Sequence, residues 1–416
     1  MVALLLAAYA ISFVDRQIVS LLVEDLRRDL AIDDVQVGLL QGPAFGVFYA
    51  VMGLPFGWLA DRVNRVRLIT AGMILWSLMT ALGGFASSFE LLLLTRMGVG
   101  VGEAALVPAA VSLLADAFPR DRRALPLAVF TSGVSVGAGL ALVLGGALVG
   151  LASGELGTWF PEFAAWQIVL ILAGALGVPI ALAILMLPEP SRGERAVEAR
   201  GDGLAGCLRG APGLFGAMLG GCALLYVFSY ALSAWMPTMF VRDFGWAPKD
   251  VGLRMGLLVL AGALIGNISS GVIATRLTRS GLPNGALLTM VGGAFLLAPM
   301  ALAAALAPSA GLAQTGIALL YFALALCFGV ATASFVAVTP AHVRGRMAAL
   351  YLSVGNLAGM GLGPPLVGWV LENGLDQPAR VGWALALVAA PTIVIGAALL
   401  ALALPMHRRR ALATLG

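Results

Sequence analysis

Asp15 and Arg16 stand well inside the first apolar stretch of this sequence, and Arg96 and Glu103 inside the fourth; Arg254 opens the eighth and reads as interfacial. An ionisable side chain at membrane depth costs about 2.5–3.5 kcal/mol on insertion scales, so its presence there points to function. Asp15 and Glu103 are the two carboxylates set well inside such stretches. Both fall near the middle of a ~30 Å hydrocarbon core. Removal from water disfavours an ionised carboxyl group, and a like-charged neighbour would add to that, so one of the two could exchange protons near neutral pH. The competing reading is structural, an acid satisfied by an arginine that holds helices in register. Arg16 adjoins Asp15, but adjacent helical residues do not face each other. It therefore pairs with Glu103 or with an anionic substrate head group, whose phosphate or carboxylate suits its planar fork.

The elements that must position these groups are helices. Of 416 residues, 60% are hydrophobic and 11% charged, against about 25% charged in soluble domains. Too little polar surface remains to cover a water-exposed body, and lipid must be the main solvent. In hydrocarbon only helices or a closed barrel satisfy every backbone group, and long apolar runs without dyad alternation decide for helices. Runs of about 20 residues fall near 1–23, 38–60, 68–86, 91–115, 124–151 and 166–187, then 213–237, 250–275, 285–307, 314–338, 347–371 and 383–404. The first, with Asp15 inside it, reads as a retained helix and not a cleaved leader. The expected fold class is an all-α membrane protein of twelve helices, with domains at 1–187 and 213–416 and a linker at 188–212.

Internal repetition supports two related halves in the same orientation. Val37-Gly38-Leu39 returns as Val251-Gly252-Leu253, and Gly57 as Gly271, at an offset of 214. Gly133, Gly137, Gly139 and Gly146 return as Gly355, Gly359, Gly361 and Gly368 at an offset of 222. One set of alternating loops and the C-terminal tail hold seventeen arginines, the opposite set five basic residues. The positive-inside rule then puts both termini in the cytoplasm. The formal charge of +4 is a topology signal of these loops, and no nucleic-acid partner is expected. The GxxxG series Gly133, Gly137 and Gly355, Gly359, Gly363 read as close-packing, sliding helix surfaces.

Several chemistries are excluded. Gly133-Val-Ser135-Val-Gly137 has the spacing of a hydrolase elbow but lies in an apolar run without a histidine base. Gly98-Val-Gly-Val-Gly102 has no strand before it, and Lys249, the one lysine, sits in no phosphate loop, so no nucleotide is expected. Three separated cysteines and two histidines offer neither a disulfide framework nor a metal set. No cofactor is expected, only protons as a coupling ion.

Gly57-Trp-Leu-Ala-Asp61-Arg62-Val-Asn-Arg65-Val-Arg67 resembles the cytoplasmic loop signature of the major facilitator superfamily. Arg96, Gly100, Gly102 and Ala104 resemble its fourth-helix motif, with Val99 in place of the usual glutamine. Asp15-Arg16-Gln17, Gly102-Glu103-Ala104 and Pro188-Glu-Pro-Ser-Arg-Gly193 resemble, more narrowly, the spinster family, which is associated with proton-linked movement of sphingolipids and lysophospholipids. Ala141-Leu142 depart from the superfamily's antiporter pattern, so exchange with protons does not follow from that motif.

The resemblance implies a secondary transporter alternating access around a midplane site in two six-helix bundles, probing no chemistry on its cargo. It implies that the first and fourth helices line a cavity, with Arg96 as a proton-relay partner; a helix-end arginine reaching the interface is the plain alternative. Tyr226, Tyr230 and Trp235 on the seventh helix would wall the cargo, or else simply pack. Gly57, Asp61, Arg62 and Arg65 would form a cytoplasmic latch, Asp61 lying near the N-terminus of the eleventh helix. The expected cargo is an amphipathic lipid, the alternatives a small organic anion, sugar acid or drug; an intramembrane lipid enzyme using Ser135 is a further reading. The expected setting is the inner (plasma) membrane, multi-pass, the chain monomeric with the bilayer and the cargo as its partners.

Overall fold

The computed structural model describes residues 1–119, 122–192, 203–375 and 380–413. Arg120, Arg195, Arg200, much of the 188–212 linker and the side chain of Ser135 lie outside the described residues. Among the described residues, twelve helices are long and apolar enough to cross a membrane. In order they are Val2–Leu21, Asp34–Ala60, Arg65–Gly83, Phe89–Ala117, Leu125–Trp159 and Ala165–Leu185, then Pro212–Phe244, Pro248–Arg279, Gly285–Ala305, Ala310–Ala337, Ala341–Gly374 and Val381–Leu412. No strand occurs among the described residues. The seventh and eighth spans, at 33 and 32 residues, outrun their apolar stretches. Each is about 50 Å long, so polar residues such as Arg242 and Arg276 continue the helix beyond the hydrocarbon.

Local chemistry sets where spans begin and bend. Asn64 caps the third span by accepting from the Arg67 amide at 2.8 Å, and Ser88 caps the fourth through Leu91 at 3.3 Å. The second span breaks at Gly42, and Pro43 starts its longer segment. The fourth breaks at Ala104–Ala105, between Phe89–Glu103 and Leu106–Ala117. Pro108 has no amide for the Ala104 carbonyl and crowds it. The bend therefore falls directly after Glu103.

The chain divides into two compact units. One comprises Met1–Glu194, Ser233–Leu260 and Pro364–Arg380; the other comprises Arg195–Leu232, Ala261–Gly363 and Val381–Gly416. In the first unit, glycines of the fourth span permit the approach that carries Glu103 inward. A Cβ on Gly100 would stand 2.5 Å from the Phe45 carbonyl oxygen, and one on Gly102 would stand 2.7 Å from the Trp76 amide. The fifth span meets the start of the eighth in the same way. A Cβ on Gly252 would stand 2.5 Å from the Gly146 Cα and from the Leu142 carbonyl oxygen.

Backbone atoms cannot give way as a flexible side chain can, so Gly252→Ala is expected to cost about 1–3 kcal/mol by overpacking. A lowered melting temperature in detergent reads this out. Gly216→Ala, where nothing lies within 4 Å, is the control that should melt no lower than the wild type.

Candidate functional site

The first, third and fourth spans bring the intramembrane charges into one cluster within the first unit. Glu103 is buried, and its Oε2 accepts from Arg16 Nε at 2.7 Å and Nη2 at 2.6 Å. Its other oxygen, Oε1, has no partner. The Arg16 guanidinium also lies 4.9 Å from each of the Phe13, Phe45 and Tyr49 ring centroids. Three π-faces hold the cation independently of its anion. Asp15 is 1% exposed, and neither of its oxygens has a hydrogen-bond partner. Glu103, Arg96 and Arg16 are its charged neighbours, and the Thr80 side chain from the third span lies beside it. Arg96 is buried with Nε and Nη1 unbonded; it does not reach out to an interface.

With both acids ionised the two carboxylates and two guanidinia cancel. One added proton makes the cluster a net cation. In such a group of buried, incompletely bonded charges, any proton gained or lost re-pairs its neighbours.

The other predicted residues fall elsewhere. Tyr226 and Tyr230 belong to an aromatic cluster of the second unit: Tyr226 lies 4.4 Å from the Phe328 centroid and shares a 3.3 Å hydroxyl contact with Tyr351. Tyr230 donates to Asn356 Oδ1 at 2.8 Å. Trp235 is fully buried in the first unit and donates to the Pro364 carbonyl at 2.9 Å, a packing role. Asp61 and Arg62 are exposed, Arg62 stacks over Trp58 at 3.8 Å, and the space at Gly57 is open. Arg65 is instead buried, bonded to Asp116, to Glu189 at 2.7 Å and to the Pro190 carbonyl at 3.0 Å. Gly133 and Gly137 receive Tyr9 and Phe13 of the first span. Gly355 and Gly359 receive Tyr226 and Tyr230, and Gly363 receives the Val227 carbonyl.

Sequence reading missed a second ionic cluster, at the end of the first unit opposite the arginine-rich loops. Arg242 bonds Glu24 at 2.7 Å and Asp34 at 2.8 Å. Arg27 adds contacts to Asp34 at 3.2 Å and Glu372 at 3.6 Å, and Glu372 accepts from the Asp34 amide at 2.8 Å. A signal was present: Glu24, Asp25, Asp33 and Asp34 lie in the loop region that faces the few basic residues of that side. Arg242→Ala leaves the buried Asp34 with Arg27 as its remaining cation and is expected to destabilise the unit by about 1.5–3 kcal/mol. A double-mutant cycle with Asp34→Asn, read by thermal unfolding, should show coupling of that order; strict additivity would contradict the clamp.

A description of the Major Facilitator Superfamily matches residues 5–360. A solved structure of a bacterial homolog to the human lysosomal transporter spinster, inward-facing and unoccupied, aligns over 100% of this chain and 97% of its own. Its TM-score is 0.78 and its identity 27%. The chain belongs to the major facilitator superfamily, in its spinster family. It is a multi-pass membrane transporter and not an enzyme, which removes the Ser135 reading. Protein spinster homolog 1 of Homo sapiens is 35% identical over 204 residues, 48% of this chain and 36% of that protein. An MFS-type efflux pump of Mycolicibacterium smegmatis is 29% identical over 405 residues, 96% of this chain and 91% of that protein. The spinster likeness is thus strongest in part of the chain, the efflux-pump likeness spread over nearly all of it.

Proposed function

We propose that the protein is a proton-coupled secondary active transporter working by alternating access, with Asp15 and Glu103 carrying protons and an amphipathic lipid, such as a sphingolipid or lysophospholipid, as cargo. The observation that carries the reading is the Arg16–Glu103 pair beside an unbonded Asp15. Protonation of Glu103 removes the charge that binds Arg16 and leaves the acid a neutral acceptor. The Arg16 guanidinium, still held by three aromatic faces, is then available to a phosphate or carboxylate head group. Loading a proton and binding an anion become one event. Tyr226 and Tyr230 offer aromatic surface to an acyl chain. Gly57, Asp61 and Arg62 would act at the cytoplasmic end, and the Arg242 cluster at the outer end, of a monomer in the inner membrane with both termini cytoplasmic.

The likeness to an efflux pump over 96% of the chain favours one second reading, a small organic anion, sugar acid or drug as cargo. A proteoliposome panel separates them. Labelled lysophospholipid, a sphingoid phosphate, a sugar acid and a cationic dye are each tested with and without a pH gradient. Gradient-dependent movement of the lipids alone supports the first reading, and of the soluble solutes alone the second. Movement of any cargo with no gradient dependence overturns the coupling.

A further inference from the structure

We propose that Thr80 is the hydrogen-bond partner that holds the Asp15 carboxyl group and sets its affinity for a proton. It is a positioning residue, and the inference rests on the proton-carrying reading of Asp15. Four other buried threonines in these helices turn their hydroxyl back onto their own backbone. Thr95 donates to the Leu92 carbonyl at 2.7 Å, Thr289 to Gly285 at 2.9 Å, Thr339 to Phe335 at 2.7 Å and Thr392 to Val388 at 2.6 Å. That is the usual resting place of a threonine hydroxyl in a helix. Thr70 instead donates to the Ala181 carbonyl at 3.5 Å, and the Thr238 hydroxyl, like that of Thr80, is unbonded; what marks Thr80 is the unbonded acid beside it. Thr80 is 2% exposed and its Oγ1 bonds nothing, while the Asp15 carboxyl beside it is equally buried and equally unbonded.

Each is the partner the other lacks. A threonine hydroxyl carries one donor and two acceptor sites; an ionised carboxylate only accepts, and a protonated one also donates. Rotation of one side chain lets Thr80 donate to ionised Asp15, or accept from it once a proton has arrived. The first bond is charge-assisted and the stronger of the two, so Thr80 favours release of the proton. The other charged groups facing Asp15 are Glu103 and Arg96 of the fourth span and Arg16 of its own. Arg16 is engaged by Glu103, and the free Glu103 oxygen accepts like Asp15 itself. Arg96 is the remaining competitor, and it donates only, so it can meet an oxygen of either state but cannot accept the O–H of the protonated acid.

Infrared titration of the purified protein in lipid nanodiscs tests this without a cargo. The carbonyl band of protonated Asp15 is the pH-dependent band lost in Asp15→Asn. Thr80→Val removes the hydroxyl at nearly constant volume and is expected to raise the proton affinity of Asp15 about tenfold. Its band should shift in frequency, because the acid O–H loses the acceptor that Thr80 supplies. Thr80→Ser should restore both, and Thr80→Ala carries the same expectation as Thr80→Val should that variant not insert. An unchanged midpoint and an unchanged frequency in the folded hydroxyl-free variant overturn the role of Thr80 and leave Asp15 a proton carrier. Absence of any pH-dependent band lost in Asp15→Asn overturns both.

Discussion

Asp15→Asn and Glu103→Gln should each fold, reach the membrane and still exchange cargo down its gradient, yet gain nothing from a pH gradient. One pH unit across the bilayer is worth 1.36 kcal/mol per proton, about a tenfold accumulation for a carrier coupled to one proton. The neutral amides keep the shape of each side chain and cannot carry that proton. Asp15→Asn keeps an acceptor oxygen and buries no charge, so the replacement should not unfold the bundle. Glu103→Gln retains an oxygen for Arg16 but not a charge, and should mimic the proton-loaded state. Accumulation is measured in proteoliposomes with an imposed gradient, and counterflow without one. Tenfold accumulation persisting in both variants would remove Asp15 and Glu103 from the coupling.

Arg16 is the residue whose loss should separate binding from architecture. Arg16→Ala strands Glu103, 1% exposed, as an unpaired buried charge, a change of about 3–5 kcal/mol when a buried pair is broken from one side. It also removes the cation that Phe13, Phe45 and Tyr49 surround. Arg16→Lys keeps a charge but loses the fork and the planar stacking, and should bind weakly. The double variant Arg16→Ala with Glu103→Gln relieves the stranded charge, so its stability should return. Its affinity for an anionic lipid should not return, because the head group's own partner is still missing; loss of a hydrogen bond to a charged group costs about 1.5–3 kcal/mol, ten- to a hundredfold in affinity. Binding and melting measured on the singles and the double give the answer. Full recovery of affinity in the double variant would leave Arg16 a structural partner of Glu103 alone.

The helices, their number and the depth of Asp15, Arg16, Arg96 and Glu103 were legible in the sequence. Hydrophobic length is a local property, and a carboxylate in the middle of an apolar run is conspicuous whatever surrounds it. The loop around Asp61 and the Asp15-Arg16-Gln17 segment carried the family for the same reason, since their residues are contiguous. Only the tertiary structure decided between partners. Arg16 and Glu103 are 87 positions apart, and nothing along the chain states how far each helix is rotated about its axis. The same ambiguity hid the burial of Arg96, the turning of Arg65 onto Asp116 and Glu189, and the packing of Trp235 against Pro364. Asp34 and Arg242 lay at span ends, where helix length in water-facing residues is not set by hydropathy. Thr80 was invisible for a different reason. A threonine in an apolar run is ordinary, and it becomes informative only when its hydroxyl is found unbonded beside an unbonded acid.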